Sequence, residues 1–156
     1  MIEINVPGYK NLSLGHLVLD YNGTLAVDGI LIDGVQILLN NVAEHLQLHV
    51  VTADTFGKAE LGLKGVDCKL SILTVDRQAE AKRQYVRNLN SDHTIAIGNG
   101  RNDNLMVKEA ALGIAVLEKE GTAVETLYAA DIVCYSVLDA LELLLNPKRI
   151  IATLRS

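Results

Sequence analysis

Tryptophan is absent from this 156-residue chain, and five Tyr and one Phe are its only aromatic residues. A stacking platform for single-stranded nucleic acid is therefore not expected. Excess basic charge is also missing: 14 Lys and Arg face 19 Asp and Glu, a formal charge of −5. With no clustered cations to neutralise phosphates, the composition argues against a nucleic-acid partner. Cysteine is scarce. Cys68 and Cys134 lie far apart and form no Cys-x-x-Cys or Cys/His metal spacing. No disulfide framework is expected, and a reducing cytoplasm is the default location. No apolar run approaches the roughly 20 residues of a membrane span, and the start, Met1-Ile2-Glu3-Ile4-Asn5, lacks the basic and apolar regions of a signal peptide. No membrane partner follows. Prolines number two, Pro7 and Pro147, both near the ends, and no low-complexity linker, charge block or repeat interrupts the chain. With 49% apolar and 21% charged residues the composition is globular, and its length suits one domain over residues 1–156.

What is present is an alternation of short apolar runs with longer amphipathic ones. His16-Leu17-Val18-Leu19 reads as a buried strand ending at Asp20. Apolar residues at 35, 38, 39, 42 and 46 predict a helix, with Asp33 as its N-cap. Strands follow at 48–51, ending at Thr52, and at 68–73, with a short helix at 57–63 between them. Residues 77–89 carry charge on one side and Ala81, Tyr85, Val86 and Leu89 on the other, the pattern of an amphipathic helix. The strand 93–97 runs into the turn Gly98-Asn99-Gly100. Asn102 or Asp103 can cap the next helix, which extends through 111. A strand at 113–116, a short helix at 123–128 and a strand at 131–134 come next. The tail from Val137 is helical, with a break near Asn146-Pro147.

About five strand–helix alternations predict an α/β fold: a Rossmann-like parallel sheet with helices on both faces. Ligands of such sheets bind beyond the carboxyl ends of the strands. Asp20, Thr52, Asn99 and Asp103 stand at those ends and are the residues to read for chemistry. An aspartate delivered by an apolar strand into a turn made permissive by Gly23 can be a nucleophile or a metal ligand.

Four segments, in order, carry a resemblance to the haloacid dehalogenase-like superfamily of phosphohydrolases and to the phosphorylation domain of P-type ATPases. Asp20-Tyr21-Asn22-Gly23-Thr24-Leu25 resembles the family's first motif, Asp-x-Asp-Gly-Thr-Leu. Val50-Val51-Thr52 resembles the second, and Lys82, on its helix, the third. Gly98-Asn99-Gly100-Arg101-Asn102-Asp103 resembles the fourth, Gly-Asp-Gly-x-Asn-Asp, and Ala111-Leu112-Gly113-Ile114-Ala115-Val116 continues it in the P-type manner. The likeness extends over nearly the whole chain and looks closest to soluble P-type-ATPase-like phosphatases.

The resemblance implies roles. Asp20 would attack phosphorus and form an aspartyl-phosphate. Thr52, Lys82 and Asn102 would hold the phosphoryl oxygens, with Gly23 letting backbone amides approach. Mg²⁺ would sit among Asp20, the carbonyl of Asn22, Asn99 and Asp103. The chain also departs from the family pattern. Asn22 occupies the place of the acid that protonates the leaving oxygen and later activates water, so acid–base help of roughly 10²–10⁴-fold is missing. Turnover of alkyl phosphates should be slow, and acyl phosphates or anhydrides less affected. Asn99 replaces a further acid, weakening Mg²⁺ binding. Both asparagines precede glycine, the sequence context in which Asn deamidates readily and in which Asn also favours tight turns.

Only 31 residues separate Asp20 from Thr52, and 29 separate Thr52 from Lys82. Neither gap accommodates a cap domain. Residues 25–31 predict a short flap hairpin turning at Asp28-Gly29. An open site suits a phosphorylated macromolecule, or a phosphorylated small molecule enclosed by a homo-oligomer. The apolar tail (Leu138, Leu141, Leu143, Leu144, Leu145, Ile150, Ile151, Leu154) is read as covering the domain's own core in preference to forming an oligomer face. His16, His45, His49 and His93 are read as surface or strand-end residues. Two other functions compete with a phosphohydrolase. One is a phosphate- or protein-binding regulator that has lost turnover. The other is a receiver-like phosphoacceptor, in which the segment 98–103 has no counterpart.

Overall fold

The computed structural model describes residues 1–54 and 57–156. The chain opens with an antiparallel hairpin, β1 (Ile2–Asn5) and β2 (Asn11–Leu14). Then come β3 (His16–Leu19), a small hairpin β4 (Ala26–Val27) and β5 (Ile30–Leu31), and helix α1 (Val35–Ala43). Strand β6 (Gln47–Thr52), helix α2 (Lys58–Gly62), strand β7 (Lys69–Ile72) and helix α3 (Gln78–Asn88) follow. Next are β8 (Thr94–Gly98), a 3₁₀ turn (Arg101–Asp103) and α4 (Asn104–Glu109). The chain ends with β9 (Leu112–Val116), α5 (Val124–Ala129), β10 (Ile132–Cys134), α6 (Val137–Leu145) and α7 (Pro147–Leu154).

Six strands form one parallel sheet in the order β10-β9-β8-β3-β6-β7. Strand β3 is central, flanked by β6 on one side and β8 on the other. The side-chain period of two sends Leu17 and Leu19 to one face and Val18 to the other. Leu17, Leu19, Leu48 and Val50 join Val35, Leu39, Val137 and Leu141 of α1 and α6 in the larger core. Val18, Val51 and Ala96 pack with Val86 of α3 and Met106 and Val107 of α4 in the smaller one. Helices thus cover both faces, as the alternation in the sequence predicts. Parallel strands buried on both faces read as continuous apolar runs, which is the pattern of 17–19, 95–97 and 114–116.

Between β3 and β6 the chain forms only the β4–β5 hairpin and α1; between β6 and α3, among the described residues, only α2 and β7. No cap domain is inserted. The β4–β5 flap turns through Asp28 (φ 53°) and Gly29 (φ 80°), two left-handed residues in succession, the backbone of a tight hairpin turn. The tail covers its own core: Val137, Ala140, Leu141, Leu144 and Ile150 are buried, and Leu138, Leu143, Leu145, Ile151 and Leu154 pack around them. Pro147 stands in the first turn of α7, where its missing N–H costs nothing.

Several expectations need correction. The β1–β2 hairpin, which turns through Pro7-Gly8, is an element that the strand–helix alternation does not predict. Asp33 does not cap α1: the N-cap is Gly34 in the left-handed region, with no side-chain bond. Helix α4 ends at Glu109; Asp103 occupies its N-cap position, as expected, but makes no side-chain cap bond to it. His49 is not on the surface. It is buried within β6 under α3, with Nδ1 3.0 Å from Tyr85 Oη and Nε2 3.3 Å from His16 Nδ1. No helix among the described residues is long and apolar enough to cross a membrane.

Candidate active site

The carboxyl ends of β3 and β8 meet where the connections leave the sheet in opposite directions, the place at which α/β sheets hold ligands. Asp20 follows β3 there, with its amide donating to Ile97 O at 3.1 Å, in continuation of the ladder. The turn after it is tied by one carbonyl: the amides of Thr24, Leu25 and Ala26 all donate to Tyr21 O. Gly23 has φ +81°, and a side chain there would also run into Asn99. Glycine meets both demands.

Lys82 reaches this point from α3. Its Nζ lies 2.6 Å from Asp20 Oδ1 and 2.6 Å from Asp103 Oδ1. The lysine is 1% exposed and Asp103 fully buried. Burial works against the lysine's charge, but the two carboxylates, Asp20 foremost, outweigh it and hold Lys82 above its ordinary range, so it stays protonated. For Asp20 burial is the largest effect, and Asp103 adds repulsion. Together they exceed the pull of Lys82 and raise Asp20 above the ordinary carboxylate range. Two buried carboxylates share one ammonium.

Asp103 is held on both oxygens. Oδ1 takes the lysine, and Oδ2 accepts from the amides of Asn99 at 3.0 Å and Gly100 at 2.8 Å. The close approach explains Gly98, where a Cβ would lie 2.6 Å from Asp103 Cγ. Asp103 thus organises the turn after β8 and anchors Lys82. Asn99 is nearly buried. Its Nδ2 donates to Gly121 O at 2.9 Å, which turns Oδ1 toward Thr24 Oγ1 at 3.1 Å. The same Thr24 hydroxyl lies 3.2 Å from Asp20 Oδ2.

A cavity of about 230 Å³ opens over Asp20 and is lined by Asp20, Asn22, Thr52, Ala53, Asp54, Gln78 and Asn102. The structure therefore brings Asp20, Asn22, Thr52 and Asn102 to one space, with Lys82 directly behind Asp20. Thr52, at the end of β6, accepts from the amide of Asp54 at 3.2 Å. Asn102 donates to Gln78 Oε1 at 2.6 Å. The amide of Gly23 is already used, donating to Ala26 O at 2.8 Å. Asn99 and Asp103 lie beneath the cavity and do not line it.

Three residues escaped the sequence reading. Thr24 links Asp20 to Asn99 and stood inside the first motif, where its hydroxyl was the available signal. Asp54 lines the cavity and accepts from the amide of Ala59 at 2.6 Å; it follows Thr52 by two, which was the signal. Gln78 carries no sequence signal, since its place depends on the packing of α3.

No family model matches the chain. It is 52% identical to an uncharacterized protein of Methanocaldococcus jannaschii over 61 residues, 39% of this chain and 66% of that protein's length. Among solved structures, the cobalt-bound deoxy-D-mannose-octulosonate 8-phosphate phosphatase of Haemophilus influenzae aligns with a TM-score of 0.72 at 12% identity, covering 88% of this chain and 90% of that one. The 3-deoxy-D-manno-octulosonate 8-phosphate phosphatase of Moraxella catarrhalis, in complex with magnesium, phosphate and the sugar acid, aligns with a TM-score of 0.67 at 20% identity, covering 91% and 94%. A haloacid dehalogenase-like protein of Streptococcus pneumoniae aligns at 0.63 and 12% identity, covering 83% and 97%. The chain has the haloacid dehalogenase-like fold, aligned along most of the length of each of these structures.

Proposed function

We propose that the protein is a phosphohydrolase that works through an aspartyl-phosphate on Asp20. The observation that carries this reading is the placement of Asp20, at the end of the central strand, on the wall of a cavity that Thr52 also lines, with Lys82 bonded to it. Asp20 Oδ forms the bond to phosphorus as the bond to the leaving oxygen breaks. Lys82, as a fixed buried cation, and the Thr52 hydroxyl stabilise the charge on the phosphoryl oxygens. Asn102 lines the same wall and adds an amide. Asn22 stands at the cavity without a proton to give, so the leaving oxygen takes its proton from water. Water then attacks phosphorus, releases inorganic phosphate and restores the Asp20 carboxylate. Leaving groups that depart as stable anions, acyl phosphates or anhydrides, suit this site better than alkyl phosphates.

The cavity wall offers oxygen ligands: the Asp20 and Asp54 carboxylates and Asn22 line it, while Asn99 Oδ1 lies behind, 3.1 Å from the Thr24 hydroxyl that stands 3.2 Å from Asp20 Oδ2. Among the described residues no group of three or more His, Cys, Asp or Glu is arranged to hold a metal. Such a set fits Mg²⁺, which takes one or two carboxylates plus phosphate oxygens and keeps several waters. Bound there, Mg²⁺ supplies charge neutralisation at the phosphoryl oxygens. The solved neighbours that carry magnesium or cobalt support this choice. A phosphorylated small molecule is the substrate class, in keeping with the size of the cavity and with the sugar-phosphate phosphatases of the same fold.

The second reading, a phosphate- or protein-binding regulator, is favoured by the amides at Asn22 and Asn99. Turnover of acetyl phosphate and p-nitrophenyl phosphate, with Mg²⁺ or EDTA, separates the two. Metal-dependent turnover that disappears in Asp20→Asn is the expected result, with acetyl phosphate preferred. No turnover of either compound leaves the regulator.

A further inference from the structure

A second cavity, of about 500 Å³, adjoins the one over Asp20. Asn102 lines both, and the first residues of α3 divide between them, Gln78 on the first and Ala79 on the second. The bond from Asn102 to Gln78 spans the ridge that separates the two. Beyond that ridge lie Arg101, Leu105 and Glu125, and the space runs on into a third cavity of about 330 Å³ bordered by Lys108 and Tyr128. The three form one groove that begins at Asp20 and passes along the outside of α4 and α5. Ala79 and Leu105 give it apolar surface. Two cations, Arg101 and Lys108, border it against one acid, Glu125, in a chain whose net charge is −5.

Arg101 is built to meet a ligand there. Its backbone is fixed, because Gly100 before it donates to Asp103 Oδ2 and accepts from Thr126 Oγ1. Its side chain is exposed, and Nε donates to the exposed Glu125 Oε2 at 2.7 Å. That bond takes one of the five guanidinium N–H groups. An exposed ion pair contributes little to stability, so an oxyanion from a ligand can join or replace Glu125 at small cost. On the phosphohydrolase reading above, on which this rests, we propose that the groove holds the leaving group of the substrate, that this group carries a second oxyanion, and that Arg101 binds it. The substrate class is then a phosphorylated small molecule with a carboxylate or a further phosphate at its far end. With the phosphoryl group at Asp20, the rest of the molecule crosses Asn102, lays its carbon chain on Ala79 and Leu105, and ends at the guanidinium. Two parallel N–H···O bonds from the planar guanidinium give direction as well as affinity. Lys108, farther along, adds to the positive potential of the groove. Acetyl phosphate and p-nitrophenyl phosphate carry no such oxyanion, and so report the chemistry of the site and not its selectivity.

The test is calorimetry on the wild-type protein with non-hydrolysable phosphonates, at one fixed Mg²⁺ concentration. Alkylphosphonates are compared with ω-phosphonocarboxylates and α,ω-alkanediphosphonates of the same chain lengths. At the length that reaches Arg101, the second oxyanion is expected to tighten binding by about tenfold. The carboxylate and diphosphonate arms show which oxyanion the groove takes. Arg101→Gln should abolish that gain and leave the alkylphosphonates unchanged. Glu125→Gln, which removes the competing carboxylate, should enlarge it. Both positions are exposed, and melting curves establish that the variants are folded. Equal affinity of the three series at every length overturns the proposal, as does a gain that survives in Arg101→Gln. Neither result touches the phosphohydrolase reading, which turnover of acetyl phosphate decides. Binding of no phosphonate in any series overturns the proposal as well. The gain without turnover of acetyl phosphate keeps the groove as a binding site and removes only the phosphohydrolase reading.

Discussion

Lys82 Nζ lies 2.6 Å from Asp20 Oδ1, in a place that leaves the lysine 1% exposed. The pair is built from residues 62 positions apart, one ending a strand and one on a helix. Because Asp103 claims the same ammonium at the same distance, the site holds one buried negative charge more than its lysine offsets.

That excess predicts opposite effects on stability. Asp20→Asn removes the surplus charge in a side chain of the same shape, and stability at neutral pH should rise by about 1–2 kcal/mol. Lys82→Met leaves two buried carboxylates facing each other and should cost about 3–5 kcal/mol. Urea denaturation of the two variants beside the wild type reads both. Destabilisation by Asp20→Asn would show that the pair serves stability after all.

Restoring the acid at position 22 should matter most where the leaving group is poor. In Asn22→Asp the side chain is expected to raise kcat on p-nitrophenyl phosphate, and still more on an alkyl phosphate, by roughly 10²-fold, with little change on acetyl phosphate. A pH–rate profile should gain a limb that the wild type lacks. An equal gain on all three substrates would point to metal binding as the cause.

His49 predicts how acid acts on the fold. Burial foremost, then His16 and Lys69, lowers it from its ordinary value to about 4. The unfolded chain therefore binds more protons than the folded one between pH 6.5 and 4. Stability should fall as pH drops through that window, and be restored in full above it, with a loss of roughly 1–3 kcal/mol. His49→Gln, which cannot titrate, should flatten that part of the stability–pH curve. His16, lowered by burial and by His93, moves in the same direction.

The two Asn-Gly pairs should resist deamidation while the protein is folded. The reaction needs the following amide nitrogen to attack the side-chain carbonyl. Gly23 N is bonded to Ala26 O and Gly100 N to Asp103 Oδ2, both at 2.8 Å. Peptide mass spectrometry of aged protein should find Asn22 and Asn99 intact in buffer and converted in denaturant. Equal rates in the two conditions would show that these bonds open freely.

How much of this was legible beforehand depends on the range of the interaction. Local order was legible. The runs 17–19, 95–97 and 114–116 are apolar because parallel strands are buried on both faces, and the Asp28-Gly29 turn is written in two residues that tolerate positive φ. The ordered motifs placed Asp20, Thr52 and Lys82 in advance, since each sits at a strand end or on a helix that the pattern defines. The cap of α1 was not legible: Asp33 has the right chemistry, but Gly34 takes the cap position with a left-handed backbone.

What the sequence by itself determined was the alternation of strand and helix, the flap, and which side chains could carry the chemistry. Only the tertiary structure decided how those side chains divide their bonds. Asp103 turns to Lys82 and two amides, Asn99 is oriented by Gly121, and His49 is buried against Tyr85. Hydrogen-bond partners of this kind lie 21 to 36 residues away or more along the chain, or arise from backbone groups that carry no residue-specific signature. Periodicity encodes which face of an element is buried; it does not encode which neighbour a buried polar atom will meet there.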